Sequence, residues 1–277
     1  LIVTLGYVVM RFAMVAQWVR AARGDPQHAP TAYRYAIGIT LVQIGWVAWL
    51  LLPGAWQTEV FAVLALAELA VPVWAERITT TTWHAGHIAE RYGLFTIIVL
   101  GESILSATTA IQSVVEVGTF NTSLIGVVVG GILIIFCMWW LYFDQPVADL
   151  LTSLRVALIW GYGHLLIFAS AAAVGAGLAV AVDYATAHAE ISALAAGATV
   201  AFPVALFLIG VWTLHQRPQA TTSGQTFRGP IVALLIALTP FTAQAVLLTG
   251  LLLTGLVALR LFDSYHAHIA TTARGAN

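Results

Sequence analysis

The sequence predicts an all-α bundle of membrane-spanning helices, and three observations carry that expectation. Of 277 residues, 60% are hydrophobic and only 8% charged, where soluble domains carry roughly 25% charged residues. The apolar residues gather in stretches of about 20, the length a helix needs to cross the hydrocarbon core. The arginines recur at every second gap between those stretches, the pattern that cytoplasmic loops impose.

Taken in order, the expected spans are 1–19, 33–52, 59–78, 88–113, 122–145, 153–182, 192–214, 231–243 and 245–262. The last two crowd around Thr239-Pro240-Phe241 and read either as two short helices or as one re-entrant hairpin. The gaps are too short to hold a soluble domain, so 1–277 reads as a single transmembrane domain.

Arg20, Arg23 and Arg34 flank the first gap, and Arg77 and Arg91 the third. Arg155 follows the fifth span, Arg217 and Arg228 occupy the seventh gap, and Arg260 and Arg274 lie at the end. The alternate gaps hold no arginine. Every arginine but Arg11 therefore falls on one side, which makes that side and the C-terminus cytoplasmic. Leu1 then lies outside, already in an apolar run and without a preceding methionine. This reads as a portion of a longer chain whose upstream part holds an odd number of helices.

Small residues mark expected helix contacts at Gly126 and Gly130 and at Ala171 and Gly175. Trp139, Trp140, Tyr142 and Phe143, just before Asp144, read as an interfacial aromatic belt. Cys137 is the single cysteine, so one copy can form neither a disulfide nor a cysteine metal site. There is no H-E-x-x-H, phosphate-cradling glycine loop or G-x-S-x-G elbow. Without a basic patch, nucleic acid is not an expected partner, and no cofactor is expected.

Four ionisable residues fall near the middle of their spans: Arg11, Glu68, Glu102 and His164, with Gln43 at similar depth. A charge in mid-membrane costs several kcal/mol unless it is paired, protonated or wetted, so such groups point to an ion or proton path. Pro72 lies four residues after Glu68, where it removes a helical hydrogen bond and should kink the third span. Arg91 and Glu102 fall within about 20° of one helix face and about 16 Å apart along the axis. His87 sits one turn before Arg91, while Ser103, Ser106, Thr108 and Thr109 add hydroxyls toward the other end. Glu90 points elsewhere, toward a pairing with Arg77 or Arg155. The structural alternative is that Glu102 neutralises Arg11 in a buried ion pair. His84 and His87 are a weak metal-ligand pair, more simply read as solvated interfacial histidines.

The run His87-Ile-Ala-Glu90-Arg91-Tyr-Gly-Leu-Phe-Thr-Ile-Ile-Val-Leu-Gly101-Glu102-Ser resembles the signature helix of the bacterial low temperature requirement A (LtrA) family, whose usual form is H-x-x-E-R-F-G-L-F-T-I-I-V-L-G-E. Trp139-Trp140-Leu-Tyr142-Phe143-Asp144 resembles its later aromatic-acidic motif, and the Gly6-Tyr7 helix ending Arg20-Ala-Ala-Arg23 its preceding helix. Tyr92 stands where phenylalanine is usual. The resemblance covers essentially the whole chain and implies a polytopic bacterial inner-membrane protein with further acidic, aromatic helices upstream. It supplies no reaction.

The leading functional expectation is a carrier or permeation pathway for a small solute or ion in the lipid bilayer, coupled to protons or cations through Glu102 and Glu68. Arg11 and Arg91 would be charge partners and His164 a relay. A non-transporting scaffold for stress tolerance is the second reading, with the same charges as structural pairs. An intramembrane enzyme using Glu90, His84 and His87 is the third. Whether copies of the chain associate as a homo-oligomer is left open.

Overall fold

Helix formation follows the apolar stretches almost one for one. The structure is a computed structural model that describes residues 2–117, 121–220 and 222–275; Leu1 and the side chains of Thr109 and Arg274 lie outside the described residues. Among these, the helices are α1 (Ile2–Gly24), α2 (Ala29–Trp49), α3 (Gly54–Ala75), α4 (Ala85–Val117), α5 (Thr122–Phe143), α6 (Leu154–Ala185), α7 (Ala193–Val211), α8 (Ser223–Leu238) and α9 (Ala245–Gly275). The all-helical expectation is met.

Local chemistry sets several starts. Asn121, Ser153, Ser192 and Thr222 each accept a hydrogen bond from the backbone N–H three residues on, capping α5, α6, α7 and α8. Such side chains satisfy one of the amides that a helix start leaves unbonded.

Among the described residues, six stretches are long and apolar enough to cross a membrane: Ile2–Gly24, Gly54–Ala75, Thr122–Phe143, Leu154–Ala185, Ala193–Gln219 and Ala245–His266. The expected nine spans are thus matched as helices, while length and composition support a smaller number of crossings. The physical reason is plainest in α8, whose 16 residues make about 24 Å of helix against a hydrocarbon core of about 30 Å. A 3-10 turn at Thr239–Phe241 separates it from α9, which is long enough to cross alone. The third helix passes through Pro72 as one helix and ends at Ala75.

The chain divides into two units, 1–83 and 84–277. In the first, α1 packs on α2 and α2 on α3. Its core is Ile39, Val42 and Val71, flanked by Val15, Trp18, Tyr35, Trp46 and Ala67. Trp18 stacks on Tyr35 with ring centroids 4.0 Å apart.

In the second unit α6 packs against α4 and α7, α5 against α9, and α7 against α8. Ile134, Met138, Ile167, Leu178, Phe207, Leu208, Ile236 and Leu253 are fully buried at its centre. The expected small-residue contacts are present. A Cβ on Gly130 would lie 2.5 Å from the Val246 carbonyl oxygen of α9, and one on Gly175 would lie 2.9 Å from the Ser103 Cα of α4. Ser103 also donates to the carbonyl of Ala171 at 3.1 Å. Side chains that small let the backbones approach, which is how helices without a hydrophobic drive between them hold together.

Candidate functional site

Of the mid-span residues, Arg11 and Glu68 meet inside the first unit. The guanidinium Nη2 of Arg11 donates both to Glu68 Oε1 and to the hydroxyl of Tyr7. Glu68 Oε2 accepts from Trp46 Nε1 at 2.9 Å and from the Tyr7 hydroxyl at 3.2 Å. The pair is mostly buried, at 14% and 20% exposure. Arg11 therefore finds its carboxylate within its own unit. A cavity of about 370 Å³ opens beside it between α1 and α2, lined by Val8, Phe12, Ile44, Val47 and Gln43.

Sequence reasoning passed over Glu76, a second buried carboxylate of this unit. It accepts from Tyr35 at 3.0 Å and from the amide and hydroxyl of Thr81 at 2.9 and 2.7 Å. The run of threonines at 79–82 was the only hint. These bonds fix the chain after α3 and leave the carboxylate no spare task.

Glu102, in contrast, is exposed on α4, and within its unit no bond among the described residues reaches it. Arg91 is exposed near the start of the same helix. Glu90 faces His87 at 3.7 Å, with both side chains well exposed. His84 and His87 hold their rings 4.8 Å apart, but among the described residues no three histidine, cysteine, aspartate or glutamate side chains gather as a metal site requires.

His164 is fully buried at the centre of an aromatic cluster. Its Nδ1 lies 2.7 Å from the Trp160 carbonyl and its Nε2 3.0 Å from the Tyr142 hydroxyl. A carbonyl can only accept, so Nδ1 carries the proton and Nε2 accepts from Tyr142. Tyr142, expected in an interfacial belt, is buried in this cluster, while Trp139 and Phe143 remain exposed.

His215, which sequence reasoning did not single out, joins the same cluster. A π-turn at Trp212–Gln216 ends α7 and so changes the direction of the last side chains; such turns recur at functional sites. It buries His215 against Tyr142, with Nδ1 3.3 Å from that residue's carbonyl, and it stacks the imidazole on Trp160 with centroids 5.7 Å apart. The next residue, Gln216, turns into a polar cavity of about 70 Å³.

That cavity lies at the arginine-bearing end of the second unit, where the ends of α5, α7, α8 and α9 meet. Arg260 binds Asp144 at 2.7 Å, and Arg228 binds Asp263. Gln145, Gln216, Gln219 and Gln225 line the remainder. Gln219 is spent on the carbonyls of His215 and Pro146 at 3.0 and 3.3 Å. In this lining, among the described residues, two buried amide atoms have no partner: Gln145 Oε1, an acceptor, and Gln216 Nε2, a donor. An unmet amide group costs about 1–3 kcal/mol, so this is a place where a polar guest is favoured.

Burial pushes the Asp144 carboxyl up from its ordinary value, and the Arg260 guanidinium opposes that shift. Arg260→Met is expected to raise it further and to cost about 2 kcal/mol of stability at neutral pH, since a buried charge is left alone. A carboxyl whose folded value lies above its unfolded one adds stability at low pH and loses it as pH rises through the folded value. The deficit of this variant should therefore shrink as pH falls. Unfolding midpoints in detergent across pH 4 to about 8 check this; a deficit that grows toward low pH would contradict it.

A set of long apolar helices that suit a bilayer, with few charges and pairs such as Arg11–Glu68 and Arg260–Asp144 among them, defines a polytopic membrane protein. The sequence matches the family described as bacterial low temperature requirement A protein (LtrA) over residues 1–261, and the chain belongs to that family. No curated protein and no solved structure matches it.

Proposed function

We propose that this LtrA-family membrane protein is a carrier for a small polar solute, which docks in the cavity between Asp144, Gln216, Arg228 and Arg260. The reading rests on that cavity: it is polar, it holds unpartnered buried amide atoms, and it lies at the end of the unit where the arginines gather. With the arginines on the cytoplasmic side of the inner membrane, the cavity is an inward-facing mouth and the C-terminus is inside. All nine helices then lie in the bilayer as one membrane domain, α8 as a short or partly inserted one.

Coupling falls to Glu102. Glu68 is held by Arg11, Tyr7 and Trp46, whereas Glu102 is exposed with no bond among the described residues of its unit, which leaves that carboxylate available to a solute path. The test is solute-driven proton movement in proteoliposomes, comparing the parent with Glu102→Gln and Gln216→Leu. Gln216→Leu should lose solute flux, and Glu102→Gln should lose proton coupling. If the parent moves no proton, cation or tested solute, the carrier reading falls.

One observation favours a scaffold instead. The direct Arg11–Glu68 pair is a structural ion pair of the kind that sets helix register. It would account for the first unit even where the second unit binds a solute.

A further inference from the structure

The cavity at the arginine-bearing end carries a narrower statement, which rests on the solute-site reading above. We infer that its guest is a small zwitterion, an ammonium and a carboxylate on one compact frame, of which glycine is the simplest. Three features of the site lead there.

The first is charge balance. The charged side chains of the lining are Asp144 and Asp263 against Arg228 and Arg260, already joined in two pairs. A guest with a single net charge would leave one charge uncompensated in a partly desolvated place, which is costly. A guest whose own charges cancel keeps the balance, and each of its ends can share an existing pair.

The second is the sense of the unmet hydrogen bonds. Gln145 Oε1 accepts and has nothing to accept from. Gln216 Nε2 donates and has nothing to donate to, on a residue only 8% exposed. An ammonium supplies the missing donor beside Asp144, the neighbour of Gln145 in the chain. A carboxylate supplies the missing acceptor, with the guanidinium of Arg228 in the same lining. Asp144, poorly solvated despite Arg260, gains from a second cation.

The third is size. About 70 Å³ is roughly half of the 150 Å³ cavity that accepts benzene. That suits a guest of a few non-hydrogen atoms.

The experiment is saturation-transfer NMR on the complete detergent-solubilised protein with glycine, acetate, methylammonium and urea as separate probes. Glycine should bind, and acetate or methylammonium should bind at least about tenfold more weakly, the worth of one charge-assisted hydrogen bond. Gln216→Leu should weaken glycine by about tenfold. Gln145→Leu, in the turn after α5 where no helix core is disturbed, should do the same, so the site is tested even if the first variant does not fold. Binding of urea as tight as that of glycine overturns the zwitterion while leaving a polar-solute site. Binding of acetate or methylammonium alone does likewise. If none of the four binds, the zwitterion falls, and the carrier reading stands or falls separately on the flux measurement.

Discussion

Glu68→Leu should be among the most destabilising single substitutions in the chain, at about 3–5 kcal/mol. It strips the Arg11 guanidinium of its carboxylate where water cannot replace it, and it leaves Trp46 Nε1 without its acceptor. The penalty is that of an orphaned charge and not the worth of the pair. Replacing both partners, Arg11→Met with Glu68→Leu, should therefore recover the part due to the orphaned charge, while the lost acceptor of Trp46 Nε1 remains. Reversible unfolding in mixed micelles measures all three variants. A Glu68→Leu protein as stable as the parent would mean that water reaches the pair, and Glu68 would return as a group able to carry protons. A double variant no better than the single one would mean that Arg11 and Glu68 act through separate neighbours.

This pair also marks how far the sequence could be read. Hydropathy gives the depth of a residue in its span, and depth singled out Arg11, Glu68 and His164 as groups that need an explanation. It gives no rotation about the helix axis. Arg11 was paired with Glu102 as the structural alternative because both lie at mid-span, and its partner is instead Glu68, 57 positions away in the chain. Glu102 lies at the right depth on an exposed face.

Where a pattern reports on backbone approach instead of rotation, it transferred well. Gly126 and Gly130 were read as a helix contact and do lie against Gln244 and Val246 at the start of α9, and Ala171 with Gly175 lie against Ser103 of α4, although the spacing named neither partner. Arginine alternation found the common end at which Arg228 and Arg260 meet Asp263 and Asp144. The cavity at that end escaped because its lining comes from four separate chain segments. Gln145, Gln216 and Gln219 each look like ordinary polar residues beside a span. Only the π-turn that ends α7 brings Gln216 inward and buries His215 behind it, and no motif in Trp212-Thr-Leu-His-Gln announces such a turn.

Two helical glycines should respond oppositely to the same methyl group. A Cβ on Gly177 would sit 2.1 Å from the carbonyl oxygen of Thr199 and 2.6 Å from its carbon. Both are backbone atoms, so no rotamer can relieve the clash and α6 must move away from α7. Thr199 also donates to the Gly177 carbonyl at 3.4 Å, a contact that the separation would lengthen. Gly177→Ala should cost about 3 kcal/mol, the upper range for overpacking a filled interior. At Gly101, inside the signature run, a Cβ meets nothing within 4 Å. Gly101→Ala should be neutral or stabilise by about 0.5 kcal/mol, through the smaller entropy loss of alanine in a helix. Unfolding of the two variants side by side tests the contrast, and a destabilised Gly101→Ala would refute it. A Gly101→Ala protein that folds well but loses flux would be the more telling result. The open space beside Gly101, next to Glu102, would then be space that the working cycle fills, and the reason for a glycine there would lie in motion and not in packing.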